Sequence, residues 1–598
     1  MTKQLLMGNE AIARGAIEAG LNLATAYPGT PSSEIIGTLA EWSGRFNYYV
    51  EWSVNEKVAL EVAAGAAYAG AKTLVAMKQV GLNVASDPLM SLAYIGVKGA
   101  MVVVVADDPG PHSSQTEQDT RLFAKFAKLP VFDPSSPEEA LEMTKAAFEL
   151  SHRYGIPVFL RPTTRVCHAT SGIEMKEPLS HQPDGFEKNS RWVIFPRLAY
   201  QRHQWLEEQR RNLATEFARS RWNPLEQGDR LGIVASGVSY FYAKEAATIL
   251  GLSPTILKIG NPHPLPEDRF KEFLTQVDQV LVVEELDPVV EEGLRFLAGQ
   301  TGFAGQIAGK LSGELPYAGE YSMDLLKQAL AKLSGIEVVD EVAPAAETVA
   351  PELPVRPPVL CAGCPHRASF YAVKQATRGL NAIYTGDIGC YTLGNAAPLE
   401  MVDTCLCMGA GLSIAQGLAA IEPDRPVFAF IGDSTFFHSG IPGVINAVFN
   451  RHPVKFVLLD NSTTAMTGHQ PHPGMGRNAC GEVTAVVDSV ALLKACGVPL
   501  VEIVNPLDQE QTKAAVKRAL DQPGVTALIM KAPCVALVKS KRRYTIDQTK
   551  CTNCKRCIRE LGCPAFFMAD KPQISPSCYG CGLCAQICPV KAIKEVEG

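Results

Sequence analysis

A chain of 598 residues with 46% hydrophobic content is too long for one core, because single cores stop growing at about 250–300 residues, and so reads as several packed domains. Its net charge of −6 and lack of any basic block argue against nucleic acid or an anionic membrane as a partner. The longest strongly apolar run, residues 100–106, falls far short of the roughly 20 residues of a membrane span, and residues 1–8 carry no basic-then-apolar leader, so a cytoplasmic location is expected.

From the start to about residue 180, short apolar runs alternate with helix-like stretches. Strands are predicted at 23–27, 48–52, 73–77, 101–106 and 157–160, and helices at 55–69 and 137–151. That alternation predicts a parallel sheet covered by helices over 1–180. Residues 181–227 are polar, with Arg-rich helical patches, and read as a connector. Strands at 231–235, 255–259 and 279–284 mark a smaller middle α/β domain over 228–337. The Pro-, Ala-, Val- and Glu-rich stretch 338–358 reads as a linker. A further α/β domain is expected over 359–540, with strands at 427–431, 455–459 and 526–530, and residues 541–598 form a cysteine-dense module. The expected fold class is therefore α/β: two larger parallel-sheet domains, a smaller middle α/β domain and a C-terminal α+β module.

Of 17 cysteines, eight lie between Cys551 and Cys588. In a reducing compartment such crowding reads as metal ligation rather than disulfides. The last run, Cys578-x2-Cys581-x2-Cys584-x3-Cys588-Pro589, has the bacterial ferredoxin spacing for 4Fe–4S clusters, in which the fourth cysteine serves the other cluster. The first, Cys551-x2-Cys554-x2-Cys557-x5-Cys563-Pro564, departs only in its longer last gap. The crossed assignment places Cys551, Cys554, Cys557 and Cys588 on one cluster and Cys563, Cys578, Cys581 and Cys584 on the other. Two structural zinc sites are the competing reading, although triplets ending in Cys-Pro are unusual for zinc. Two clusters in one small ferredoxin-like fold imply an electron relay.

The strand at 427–431 runs into Gly432-Asp433-Ser434, and the strand at 455–459 into Asp460-Asn461. Gly432 permits close approach of a phosphate at a strand-to-helix turn. Asp433 and Asn461 offer hard oxygen ligands for Mg²⁺ at the carboxyl ends of two strands. An ordinary strand-end Asp and a turn Asn are the plain alternative. Near the other end, Glu56 in Asn55-Glu56-Lys57-Val58-Ala59 opens a helix rich in Ala and Gly, with Glu61 as its rival; a helix-start Glu favoured by the macrodipole is the plain alternative there.

These segments resemble the Gly-Asp-Gly…Asn motif and pyrimidine-gripping Glu of thiamine-diphosphate enzymes, with Ser434 where the second Gly commonly stands. The resemblance implies that the Thr463 carbonyl completes the Mg²⁺ site. It also favours Glu56 over Glu61 as the acid held against the pyrimidine N1′. Tyr27-Pro28-Gly29-Thr30-Pro31-Ser32-Ser33 is similar to the Tyr-Pro-x-Thr-Pro-Ser-Ser segment of 2-oxoacid:ferredoxin oxidoreductases, which implies that Thr30 lies near the substrate carboxylate. Cys361-Ala362-Gly363-Cys364-Pro365-His366-Arg367 and Gly386-Asp387-Ile388-Gly389-Cys390 are further matches, and the domain order resembles the large subunits of the indolepyruvate branch across essentially the whole chain.

The resemblance implies oxidative decarboxylation of an aryl 2-oxoacid to acyl-CoA, with thiamine diphosphate, Mg²⁺ and 4Fe–4S clusters as cofactors and ferredoxin as electron acceptor. It also implies a smaller beta subunit and a dimer of such heterodimers. An aliphatic or branched-chain 2-oxoacid, or a non-catalytic electron-transfer subunit, is the alternative. By the same motifs, Cys361, Cys364, Cys390 and Cys534 are expected to hold a third 4Fe–4S cluster, with free buried thiols as the alternative. Two features oppose it: members of the indolepyruvate branch are commonly described with two clusters, and Cys-Ala-Gly-Cys-Pro-His departs from the usual Cys-Pro-Gly-Cys-Gly-His. His112, on a loop after a strand end, reads as a surface histidine, with a substrate contact as the alternative.

Overall fold

The computed structural model describes residues 3–337, 353, 356–538 and 540–597, so most of the linker expected at 338–358 lies outside the described residues. The chain divides into two compact units, Met1–Val349 and Ala350–Gly598.

The first unit holds a six-stranded, all-parallel sheet in the spatial order Tyr49–Trp52, Leu23–Ala26, Lys72–Lys78, Ala100–Ala106, Val158–Leu160, Val131–Phe132. Every residue of Ala100–Ala106 is buried, as expected of a central parallel strand with helices on both faces. The covering helices carry legible ends. Pro137–Tyr154 opens with Ser136 accepting from the Glu139 backbone N–H and Pro137 in its first turn, and closes at Gly155 in the left-handed region.

The stretch read as a connector contributes a 22-residue helix, Pro196–Phe217, which sends Leu206, Leu213 and Phe217 into the core of this sheet. Only those three of its residues are buried, so its polar composition hid the packing face. A second sheet in the same unit runs Gln306–Ala308, Gln279–Val283, Asp229–Ser236, Pro254–Ile259, Leu225–Glu226, parallel except for the last strand. Between the two sheets lies a buried ionic network. Arg121 donates to Asp119 and Glu284 and to the carbonyls of Glu285 and Asp287, while Arg161 pairs with Asp107 at 2.7 Å and Asp133 at 3.4 Å.

The second unit is built on a five-stranded parallel sheet, Ile383–Thr385, Val427–Gly432, Val454–Asp460, Thr526–Lys531, Leu500–Val504. The two outer strands were not predicted: one is only three residues long, and the other is largely half-exposed. Helices Ala410–Ile421 and Ile441–Phe449 pack on one face, and Pro365–Ala376 and Gln509–Asp521 on the other. The C-terminal module pairs Arg542–Ile546 with Ile593–Glu597 and Phe566–Met568 with Pro572–Ile574, both antiparallel. Among the described residues, no helix is long and apolar enough to cross a membrane.

Candidate functional site

In the second unit, the buried strand Val427–Gly432 ends where the chain turns into a helix at Asp433. The Asp433 carboxylate accepts the Ser434 N–H at 2.9 Å through Oδ1, and the Asn461 and Ser462 N–H groups at 3.1 and 2.8 Å through Oδ2. It thereby ties its own strand end to the end of the neighbouring strand. Asn461 Oδ1 accepts the Thr463 N–H at 3.2 Å, and Ser462, at φ 60°, makes the turn between them. The Ser434 hydroxyl accepts from Thr464 Oγ1 at 3.0 Å, so the serine that departs from the glycine motif is accommodated within the turn. Asp433, Asn461 and Thr463 are all buried at this corner, which brings together a carboxylate and an amide, oxygen donors of the kind a hard dication takes.

Two histidines flank that corner. His472 Nδ1 accepts the Gly474 N–H, and its Nε2 lies 3.2 Å from Asp433 Oδ2. His366 is buried with neither ring nitrogen hydrogen-bonded, and its ring stands edge-on to Tyr391 at 5.8 Å. Burial pushes its pKa down to about 4, against the opposing pull of the Asp433 charge. A buried imidazole with unused ring nitrogens beside an acidic oxygen cluster fits a bound group that is itself metal and phosphate. Asp387, which accepts the Ile388 and Gly409 N–H groups at 2.7 and 2.9 Å, is pushed up to about 7 by burial.

The cysteines of this unit gather into sets. Burial raises the Cys557 thiol to about 11, and Cys554 and Cys551 add to the rise. Cys584 is raised by burial and then by Cys581, Cys578, Cys563 and Cys557, and Cys563 shares a cavity wall with Cys578, Cys581 and Cys584. Cys588, whose Sγ accepts the Ala592 N–H at 3.2 Å, shares a small core with both runs. Away from this module, Cys390 is raised to about 11 by burial, then by Cys534 and Cys361, and Cys364 to about 12, chiefly by burial. Cys361, Cys364, Cys390 and Cys534 are thus brought together from separate parts of the sequence. Among the described residues, no group of three or more His, Cys, Asp or Glu side chains is placed to hold a metal ion.

In the first unit, Glu56 begins helix Glu56–Tyr68 and is buried, while Asn55 caps the helix by accepting the Val58 N–H at 2.9 Å. Gly81 leaves the space that Glu56 fills, since a Cβ there would lie 2.6 Å from Glu56 Oε1. Glu61 is instead partly exposed and pairs with Lys57. Lys78, at the end of its strand, is pushed down by burial while the charges of Asp108 and Glu56 oppose that shift. The Thr30 carbonyl accepts from Ser113 Oγ at 3.0 Å, and Lys78 packs against Gly29 in the same segment. Thr30, Glu56 and Lys78 therefore sit at the carboxyl end of the first sheet, where open α/β sheets bind ligands. His112 lies on the surface, 3.4 Å from Glu320.

Residues 14–191 match the family described as pyruvate flavodoxin/ferredoxin oxidoreductase, thiamine diphosphate-binding; residues 387–530 match the thiamine pyrophosphate enzyme C-terminal binding domain; and residues 573–594 match a 4Fe-4S binding domain. The chain is 44% identical over 620 residues to the indolepyruvate oxidoreductase subunit IorA of Archaeoglobus fulgidus, an alignment covering 100% of this chain and 98% of the relative. The chain belongs to the IorA family. Other IorA subunits match as fully: that of Methanothermobacter thermautotrophicus at 44% over 606 residues, covering 99% and 97%, and that of Pyrococcus abyssi at 42% over 632 residues, covering 99% and 97%. In this chain, sequence reasoning passed over His366, Arg367, Asp387, His472 and Lys78. The first three lie inside the two quoted cysteine motifs, so position next to a ligand was the available signal; His472 and Lys78 carried none.

Proposed function

We propose that this chain is the thiamine-diphosphate-binding, catalytic subunit of an enzyme that oxidatively decarboxylates aryl 2-oxoacids such as indolepyruvate to acyl-CoA and delivers the electrons to ferredoxin. A smaller beta subunit completes it, as a dimer of heterodimers in the cytoplasm. The observation that carries the reading is the Asp433 corner, where one carboxylate organises both strand ends by accepting the Asn461 and Ser462 N–H groups, and Asn461 in turn accepts the Thr463 N–H. The aryl substrate class is supported by the name shared by the full-length relatives.

Asp433, Asn461 and the Thr463 carbonyl hold Mg²⁺, with Gly432 and Ser434 bordering the diphosphate. When bound, thiamine diphosphate supplies the nucleophilic carbon that attacks the 2-oxo carbon and accommodates the electron pair left behind when CO₂ departs. Glu56 holds a proton at the pyrimidine N1′, and its burial supports it over Glu61 for that task. Thr30 orients the substrate carboxylate. The cysteine sets hold 4Fe–4S clusters: Cys551, Cys554, Cys557 and Cys588; Cys563, Cys578, Cys581 and Cys584; and, as a third, Cys361, Cys364, Cys390 and Cys534, supported by the mutual effect of Cys390, Cys534 and Cys361.

The test is an anaerobic assay of the full chain with its smaller subunit, thiamine diphosphate, Mg²⁺ and coenzyme A. Reduction of ferredoxin should depend on indolepyruvate or phenylpyruvate and outpace that with pyruvate or 2-oxoisovalerate. Faster turnover of an aliphatic acid would overturn the substrate class, and no 2-oxoacid-dependent reduction would overturn the catalytic reading. Iron analysis addresses the third cluster: roughly twelve irons per chain support three cubanes, and roughly eight support two.

A further inference from the structure

Arg367 follows the Cys361-x2-Cys364 motif, and its guanidinium is buried in the second unit. It donates to backbone carbonyls only: Leu561 O at 2.6 Å and Gly562 O at 3.0 Å through Nη1, and Leu360 O at 2.5 Å and Cys361 O at 3.5 Å through Nη2. Two of those carbonyls lie just before Cys563, and the other two lie at the start of the Cys361 motif. Nε has no partner, and among the described residues no carboxylate accepts from this side chain. Arg367 also borders a cavity whose wall includes Cys364, Cys563, Cys581 and Cys584. The two motifs are held close: Gly363, at φ +78°, lies against the Tyr579 ring, where a Cβ would come within 2.6 Å of the Tyr579 Cβ.

A buried guanidinium needs a counter-charge, and carbonyl dipoles alone repay little of its desolvation. The cysteines that share its cavity wall, Cys364, Cys563, Cys581 and Cys584, come from two different cysteine sets. Neutral thiols provide no such counter-charge. Cysteinates wrapped around iron–sulfur clusters do, because each ligated cluster carries net negative charge.

Resting on the three-cluster reading above, the geometry points to Arg367 as a positioning residue that serves two clusters at once: its single buried cation lies between the Cys361 set and the Cys563 set and raises the reduction potential of both. Reduction adds one negative charge to a cluster, and a fixed cation beside it favours that form. None of Cys551, Cys554 and Cys557 lines the cavity that Arg367 borders, so the potential of that set should respond least. The fork is part of the design, since one planar group reaches carbonyls on both motifs.

The experiment is an EPR-monitored redox titration, with iron analysis, on the full chain purified anaerobically with its smaller subunit, for the parent, Arg367→Gln and Arg367→Lys. In Arg367→Gln, with iron content retained, the potentials of two clusters should fall by at least a tenfold change in the reduction equilibrium (~59 mV for one electron), while the third moves by less than twofold. Arg367→Lys keeps the charge and should shift both by less than the glutamine variant does. Iron lost from Arg367→Gln but kept in Arg367→Lys also supports the proposal, because charge alone restores loading. Unchanged potentials in a fully loaded Arg367→Gln overturn it, as does iron loss shared equally by both variants, which would make the residue a matter of packing. A parent with about eight irons overturns the shared role together with the three-cluster reading, and the iron count tells that failure apart from unchanged potentials at full loading.

Discussion

The two units treat buried charge in opposite ways. In the first, buried ions answer one another: Arg121 meets Asp119 and Glu284, and Arg161 meets Asp107 and Asp133. In the second, His366 is buried with two unpartnered nitrogens, Arg367 finds only carbonyls, and burial raises the thiols of Cys364, Cys390, Cys557 and Cys584. The first pattern is that of a scaffold whose buried arginines are answered by its own carboxylates. The second is that of a scaffold whose polar groups are completed by something other than amino acids. Removing a group should therefore cost stability in the first unit, and cofactor in the second.

The largest effect should come from Asp433→Ala. It removes the anion that organises both strand ends, so thiamine-diphosphate and Mg²⁺ binding should be lost and 2-oxoacid oxidation should fall to background, while iron per chain stays at the parent value. Equilibrium dialysis with and without Mg²⁺ checks it, and undiminished cofactor affinity would sink the assignment. Glu56→Gln comes next. It keeps the helix start but cannot give a proton to N1′, so turnover should drop by about 10²–10⁴-fold with cofactor still bound. The same change at Glu61, which faces solvent with Lys57, should cost less than twofold; the opposite ranking in steady-state assays would reverse the choice between them.

Within the first unit, Arg121→Met strands Asp119 and Glu284 in a dry site and should destabilise that unit by about 3–5 kcal/mol, seen as an early transition in chemical denaturation. A variant as stable as the parent would break the comparison from that side. The smallest effect concerns Glu285, pushed from 4.5 up to about 7 by burial. A carboxyl with a raised folded-state pKa holds its proton longer in the folded chain. Its contribution is therefore complete below pH 4.5 and lost as pH climbs to about 7. Glu285→Gln stays neutral and should lack that loss, gaining on the parent by up to about 1.4 kcal/mol per pH unit across the window. Parallel melting curves from pH 5 to pH 8, about the range over which the gap should open, would refute it.

What the sequence disclosed follows from how many residues speak for each feature. Central strands such as Ala100–Ala106 and Val427–Gly432 are continuous apolar runs, and they were located to within a residue. Ile383–Thr385 is too short to announce itself, and Pro196–Phe217 buries so few residues that it reads as solvent-facing. The cysteine-rich module was equally plain, because the ferredoxin spacing is written into local gaps, and residues 573–594 match a 4Fe-4S binding domain. The choice of acid was not: nothing local says that Gly81 clears room for Glu56 and leaves Glu61 outside. Arg121 and Arg367 look like ordinary surface arginines in the chain; only tertiary packing shows that one is answered by carboxylates and the other by none.

Helix Pro365–Ala376 has a consequence for how current leaves the protein. It begins directly after Cys364, gives Phe370 and Val373 to the core of the five-stranded sheet, and gives Ala368 and Tyr371 to the core of the C-terminal module. Tyr371 bonds to Glu560 at 2.6 Å, and Gln586 of the module bonds back to Leu507 at 2.7 Å. The module is thus bolted to the same beam that carries the inner cysteines, and it is not a tethered shuttle that swings between donor and acceptor. Tunnelling distances inside this unit are set when the helix packs. The variable gap, and with it the place for control of rate by ionic strength or partner concentration, lies at the outer face where a soluble acceptor must dock.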